Sequence, residues 1–440
     1  MTAAPDTHVA AAAARPGEAG QRPLDVVVVT VRFPSAAETF VTSRVRSLLD
    51  LGHRVRVLAF RTPEEGWTRF LRERRLEGTP VVHNGTGPTV SGVLAALARP
   101  ALAARALAWL VRTCRREPVH LWRALAVLPF AFWALARLER DTPDVVHLEW
   151  GHYPSVLVPL VRWRGLPCVV SLSLVAYDIY RGFPGTRTAA ALADVVRTQA
   201  RGNVPEIVAA TGLSADRVEL VPDGVDTERI AGIARAVDKV PGRVAVVSRL
   251  VPAKGVDDAL RAFAAARERH PDATLRVMGT GPEEEPLRSL AAELGVADAV
   301  AFLGHVSHDD VLRELAAADV LLHLSHMERL PNAVKEGMAS GCVVITTRTI
   351  GIEELVEDGR TGYLVDVRDH AAAAAALTRA LAEPAEHAAV RAAAEALVRE
   401  TMDHAASVRK LVGLWRRALV ARGRGETVGV GQATHADITG

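Results

Sequence analysis

The sequence predicts an α/β protein built from two doubly wound domains that face each other across a cleft. Two observations carry this reading. Short apolar, β-branched runs alternate with helix-length segments in two successive series, the pattern of parallel strands joined by right-handed helical crossovers. A strand-poor stretch, residues 226–240, separates the two series as a linker. The length of 440 residues allows two or three cores of ordinary size.

Order is expected from Leu24. Residues 1–23 are rich in Ala and Pro and lack the basic start of a signal peptide, so they read as a disordered leader. Residues 24–31 (LDVVVVTV) have the composition of a buried parallel strand. A polar loop, a helix ending before Gly52 and a strand at 54–60 follow, with further strands at 144–148, 168–173 and 218–221. Residues 92–140 form a helical insert rich in Arg, Leu, Trp and Phe. The first domain is thus placed at 24–228.

The second domain, 229–403, has expected strands at 243–248, 274–278, 299–303, 320–324 and 343–347. Helices fill the gaps near 256–269, 283–294, 309–317 and 332–340. Ala-rich helices follow residue 369. A helix at 404–422 is expected to cross back to the first domain, and the Gly-rich tail at 423–440 to be disordered. Paired domains of this kind hold ligands at the C-terminal ends of their strands.

Composition excludes several classes. The net charge of +2 creates no field for nucleic acid or acidic partners. Lys239, Lys254, Lys335 and Lys410 are the only lysines among 53 basic residues, so arginine abundance alone carries no meaning. Cys114, Cys168 and Cys342 lie far apart, with neither metal-ligand spacing nor a disulfide framework, which fits a reducing cytoplasm. The longest apolar run, 124–136, contains Pro129 and falls short of the ~20 residues a spanning helix needs, so no transmembrane segment is expected.

Candidate chemistry gathers in the second domain. Its first strand leads into Arg249 and Lys254-Gly255, just before a helix. Two cations at a strand end beside a helix N-terminus can bracket a diphosphate; a pair of solvated surface charges is the plain alternative. The next strand exits through Met278-Gly279-Thr280-Gly281-Pro282, whose glycines permit a tight turn and close ligand approach. This is not a dinucleotide fingerprint, since the third glycine is missing and the motif follows the second strand. The third feature is Glu328-Arg329-Leu330-Pro331-Asn332-Ala333-Val334-Lys335-Glu336. Pro331 suits the first turn of a helix whose free amides and positive dipole end would face an anion. Glu328 and Glu336 would meet sugar hydroxyls on either side; a solvated carboxylate pair is the alternative.

In this order, strand-Arg-x4-Lys-Gly, Gly-x-Gly-Pro, Phe302-Leu303-Gly304-His305-Val306 and Glu-x7-Glu resemble family 4 of the retaining glycosyltransferases, with the GT-B fold of two Rossmann-like domains. The runs Gly341-Cys342-Val343-Val344-Ile345-Thr346-Thr347, Gly351-Ile352-Glu353-Glu354-Leu355-Val356 and Thr361-Gly362-Tyr363-Leu364-Val365 are similar to that family as well. Phe33-Pro34 with Glu38-Thr39-Phe40 resembles a loop of exopolysaccharide-type members, with Ala37 in place of serine. Pro222-Asp223-Gly224-Val225-Asp226 resembles the Asn-Gly-Val-Asp that ends the first domain, with Asp223 for asparagine. The resemblance spans residues 24–382.

The resemblance implies a cytoplasmic, metal-independent enzyme with no cofactor. It would move a sugar from a nucleoside diphosphate donor to an acceptor hydroxyl with retention of configuration. The acceptor would be a cell-surface or lipid-linked saccharide or a small natural product. Arg249 and Lys254 would neutralise the diphosphate, Glu336 hold the ribose and Glu328 the transferred sugar. Backbone amides around Leu330, Pro331, Asn332 and Ala333 would cradle that sugar and the distal phosphate. His305 and Val306 would border the base, beside Gly279 and Gly281. Glu328, Arg249 and Lys254 form the expected catalytic set.

The first domain departs from the family. Its usual His-x-His is His147-Leu148-Glu149 and its His-Gly-x-Asp is Val175-Ala176-Tyr177-Asp178; in the second domain the usual Glu-Gly-x-Pro is Glu328-Arg329-Leu330-Pro331. Glu38, Thr39, His147, Glu149 and Asp178 are expected on the acceptor side, where the carboxylates of Glu149 and Asp178 favour hydroxyl-rich or amine-bearing acceptors. Alternatively, Glu149 caps a helix near Gly151 and Asp178 starts the next. A non-catalytic nucleotide-sugar-binding relative, a nucleotide-sugar epimerase and a phosphorylase are the rival functions. Within the insert, Arg99, Arg105, Arg112, Arg115, Arg116 and Arg123 interleave with Leu, Trp and Phe. That pattern reads either as helices packed on the first domain or as an amphipathic surface lying on anionic lipid at the inner face of the plasma membrane.

Overall fold

A computed structural model describes residues 22–35, 39–63, 66–175, 178, 182–382 and 385–423. Glu38, nearly all of the expected leader and the tail from residue 424 lie outside the described residues. The architecture is GT-B: two parallel sheets, of seven and six strands, with interleaved helices.

The first sheet contains β1 (Asp25–Thr30), β2 (Arg54–Ala59), β3 (Val81–His83), β4 (Val145–Leu148), β5 (Val169–Ser173), β6 (Val195–Thr198) and β7 (Val218–Leu220). Their order is β3-β2-β1-β4-β5-β6-β7, so the winding reverses between β1 and β4. The second sheet contains β8 (Arg243–Val247), β9 (Thr274–Met278), β10 (Val300–Gly304), β11 (Val320–His323), β12 (Val343–Thr347) and β13 (Tyr363–Val365), in the order β10-β9-β8-β11-β12-β13. Its reversal lies between β8 and β11. Ligand crevices open at such reversals. Three strands, β3, β6 and β13, are additions to the sequence reading. β3 and β13 have three residues each, and β6 carries a buried Arg197 that breaks its apolar run.

The first-domain helices begin with α1 (Thr39–Asp50) and α2 (Trp67–Glu73). The insert forms α3 (Thr86–Leu97), α4 (Pro100–Cys114) and α5 (Pro118–Arg140), starting six residues earlier than residue 92. α3 packs closely on α5: a Cβ at Gly92 would lie 1.8 Å from the Pro129 carbonyl oxygen. At 23 residues, α5 is long and apolar enough to cross a bilayer, which the apolar run alone did not suggest. It nevertheless buries Leu128, Phe130, Phe132 and Leu135 in the first-domain core.

Two neighbouring strands of chain join the domains. The Val225 amide donates to the Met402 carbonyl and the His404 amide to the Val225 carbonyl, both at 2.9 Å. Gly224 allows this approach, because a Cβ there would lie 2.4 Å from the Met402 carbonyl oxygen. Beyond it, Asp403 caps the helix His404–Ala421 through the Ala406 amide. That helix returns to the first domain, burying Val408, Leu411, Trp415 and Leu419 against Leu24, Val26 and Val145.

Candidate active site

The sequence-distant motifs of the second domain meet at the C-terminal ends of four adjacent strands. Across the sheet these are His305 and Val306 after β10, Gly279 and Gly281 after β9, Arg249 and Lys254 after β8, and Glu328 beyond β11. Arg249 is exposed and has no carboxylate partner among the described residues. His305 is exposed and Val306 half-buried. The two glycines are needed by the backbone itself. A Cβ at Gly279 would lie 1.8 Å from the Ser248 carbonyl oxygen, and one at Gly281 2.1 Å from that of Leu250.

The Lys254 ammonium is ion-paired with the Glu328 carboxylate. Local structure fixes both partners. The loop carrying Lys254 turns at Gly255, with φ +57°, into the helix Val256–Arg267, whose first turn bears Asp257 and Asp258 at the positive dipole end. The His326 amide and Ser325 hydroxyl both donate to the Ala253 carbonyl, tying the Glu328 loop to the Lys254 loop. Beneath them His323 is buried, and burial pushes its pKa down to about 4, leaving it neutral near pH 7. Asp257, Asp258 and His326 bring ligating atoms within 4.8 Å of one another. The hydrogen bond between His326 and Asp258 (2.8 Å) and the helix N-terminus account for that grouping.

The helix Asn332–Ala339 starts one residue after Pro331, which occupies the N-cap position rather than the first turn. No side chain caps the helix, so its first amides lack helical partners. The Glu336 carboxylate accepts a 2.9 Å hydrogen bond from His308 Nε2, at the start of the helix after β10. Sequence reasoning missed His308. Asn332 is committed within the protein, its Oδ1 accepting from Lys335 Nζ at 3.0 Å.

The first-domain residues require a correction. Glu149 does not line an open acceptor face: its side chain is fully buried in a charge cluster. It lies 3.0 Å from Arg44 Nε, 3.5 Å from His147 Nε2 and 3.8 Å from Arg197 Nη2. Burial alone would raise the Glu149 pKa; the Arg44 guanidinium, with His147 and Arg197, outweighs it and holds the value at about 2. Asp223, buried beside Glu149's partners, accepts from Arg44 (2.5 Å) and Arg197 (2.9 Å), and these cations keep it well below the usual carboxylate range despite burial. His147 is also fully buried, bonded to Ser171 and tilted against Trp415 at 5.3 Å; burial lowers its pKa. Asp178 is buried too, its Oδ1 accepting the Gly151 and His152 amides at 2.9 and 3.2 Å. That work is structural, and Glu149 caps no helix. Thr39 is half-buried at the start of α1.

Residues outside the expected site set connect the two domains beside the Glu328 loop. Lys335, fully buried, donates to the Asp223 backbone carbonyl at 2.5 Å. Burial lowers its pKa to about 8 against the opposing pull of Asp223. Arg329 Nη2 donates to both carboxylate oxygens of Glu206, and Glu354 accepts the Arg201 and Gly202 amides at 2.9 Å each. The scarcity of lysine in the sequence was a signal for Lys335. Nothing in a single sequence pairs Arg329 with Glu206.

The fold and the convergence of motifs at one switch point define a GT-B glycosyltransferase. Residues 234–397 match the model for glycosyl transferases group 1. The chain is 32% identical over 338 residues to a D-inositol 3-phosphate glycosyltransferase of Acidothermus cellulolyticus, covering 71% of this chain and 73% of that one. It is 34% identical over 250 residues to a GDP-mannose-dependent alpha-(1-6)-phosphatidylinositol monomannoside mannosyltransferase of Mycolicibacterium smegmatis, covering 52% and 65%. HepE of Anabaena, solved in complex with UDP, shares the fold at TM-score 0.68 and 17% identity, over 89% of this chain and 99% of that one. The chain belongs to the group 1 glycosyltransferase family.

Proposed function

We propose that the protein transfers a sugar from a nucleoside diphosphate donor to an acceptor hydroxyl, with retention and without a metal ion. The observation that supports it best is the row of motifs along β10-β9-β8-β11. It brings His305 and Val306, the cations Arg249 and Lys254, and the carboxylates Glu328 and Glu336 to one edge of the sheet. As the bond from sugar to diphosphate breaks, negative charge grows on the leaving phosphate. Arg249, Lys254 and the uncapped N-terminus of Asn332–Ala339 would meet that charge, so the site supplies the stabilisation a metal would otherwise give. Glu328 would exchange its bond to Lys254 for hydroxyls of the transferred sugar, freeing the ammonium for phosphate. Glu336, oriented by His308, would accept from the ribose hydroxyls.

The acceptor would approach from the first domain. Both relatives above bear inositol in their names, which makes inositol phosphates the first acceptors to try, ahead of other saccharides and small natural products. Three buried, unpaired cysteines suit a cytoplasmic site of action. Incubation with a panel of nucleotide sugars tests the reading. Transfer or slow hydrolysis supports it, with the product anomer read by NMR; interconversion of the sugars would make the protein an epimerase, and binding without turnover a non-catalytic relative.

A further inference from the structure

The helical insert packs on the first domain by one side only. Among the described residues thirteen large hydrophobic side chains are exposed, and eight of them lie between Val90 and Trp122. On α3, Val90, Leu94 and Leu97 recur at helical spacing on one stripe, joined by Val93; Leu97 is 70% exposed. Leu107 and Val111 repeat this on α4, and Val119 and Trp122, the latter 72% exposed, on the first turns of α5. Apolar surface so concentrated marks an interaction site, whereas scattered exposed residues need no explanation.

Charge identifies the occupant. Residues 86–124 contain six arginines and one acidic residue, Glu117, in a chain whose total net charge is +2. Arg112, Arg115, Arg116 and Arg123 are exposed between the apolar positions and have no carboxylate partner among the described residues. Beside the α3 stripe, a groove of about 640 Å³ between α3 and α5 is lined by Trp133, Arg137, Arg140 and the ion pair of Arg99 with Glu139. Arg137 lies over the Trp133 ring at 5.0 Å, and Arg140 has no carboxylate partner among the described residues. Apolar side chains interleaved with unneutralised guanidiniums complement a surface of phosphate headgroups over hydrocarbon. A protein face would have to supply many carboxylates.

We propose that α3, α4 and the start of α5 dock on the surface of an anionic phospholipid bilayer, with Leu94, Leu97 and Trp122 entering the headgroup boundary. The proposal does not rest on the glycosyl transfer reading, because binding is measured with no sugar donor present.

The test is co-sedimentation of the full chain with vesicles of phosphatidylcholine, alone or mixed with phosphatidylglycerol. The wild type is expected to sediment with the mixed vesicles, to stay in solution with the neutral ones and to be released by salt. Arg112→Ser/Arg116→Ser should weaken binding on the order of 10-fold. Arg261→Ser/Arg269→Ser, an equal charge change on exposed residues of the second domain, should leave it unchanged. Leu94→Ser/Trp122→Ser should also weaken it, with the thermal melt of each variant confirming the fold. Equal binding to neutral vesicles, no binding to either, or equal losses from both arginine pairs would overturn the proposal. So would a wild-type dimer in light scattering that Leu94→Ser/Trp122→Ser dissociates, since a second copy would then cover the face.

Discussion

Arg329 of the second domain grips Glu206 of the first, its Nη2 lying 2.7 and 2.9 Å from the two carboxylate oxygens. The bond spans the cleft one residue from Glu328, at a position where the resembling family usually has glycine. It holds the loop that would contact the transferred sugar. Arg329→Gly is expected to lower kcat/KM for the donor sugar about 10-fold, the effect of losing one charged hydrogen bond of ~1.5 kcal/mol. Affinity for the free nucleoside diphosphate should stay within a factor of two or so. Steady-state kinetics beside calorimetry checks the split.

Lys335 links the domains from inside. Its pKa, lowered to about 8 in the fold against 10.5 when exposed, means that the unfolded chain binds the extra proton between those values. Burying the ammonium therefore opposes folding fully below pH 8, and the opposition fades as pH rises from about 8 towards 10.5. Relative to Lys335→Met, the wild type should gain stability across that window, by at most about 1.4 kcal/mol per pH unit. Denaturant melts of both proteins from neutral to alkaline pH measure the difference.

Glu149 acts in the opposite window. Its pKa, held at about 2 against 4.5 in the unfolded chain, gives stability that is complete above pH 4.5 and lost as pH falls towards 2. Glu149→Gln leaves Arg44 and Arg197 buried with less negative charge and should destabilise the protein by about 3 kcal/mol or more at pH 7. The mutant should also lose less stability than the wild type on acidification below pH 4.5. Thermal unfolding across this range decides between a structural and an acceptor-binding carboxylate.

Much of this was legible in the sequence. β1, with its unbroken valines, and β8, β9, β11 and β12 were readable as apolar runs. The Arg249, Lys254, Glu328 and Glu336 motifs lie at strand ends or beside one helix start, where local pattern and neighbours along the chain define them. The charge cluster was not legible. Arg44 on α1, Glu149 after β4, Arg197 on β6 and Asp223 after β7 come from four separate segments, which only the tertiary fold brings together. His308 escaped for the same reason: its partner Glu336 lies 28 residues away on another helix.

His308 makes a separate prediction. If it orients Glu336, His308→Ala should weaken nucleoside diphosphate binding in the same direction as Glu336→Ala, but less. The direct change should cost about 1.5–3 kcal/mol and the indirect one about half of that. Equal affinities of His308→Ala and wild type would remove the orienting role.

The central claim is that the crevice at β8 and β11 binds a nucleoside diphosphate through Arg249, Lys254 and Glu336. Calorimetric titration of the wild type with UDP, GDP, ADP and TDP, repeated on Lys254→Ala and Glu336→Ala, tests it most directly. At least one of the four should bind the wild type, and each substitution should weaken that binding by about 10-fold or more while the thermal melt stays intact. Binding of none of the four, or binding that both substitutions leave unchanged, would contradict the claim.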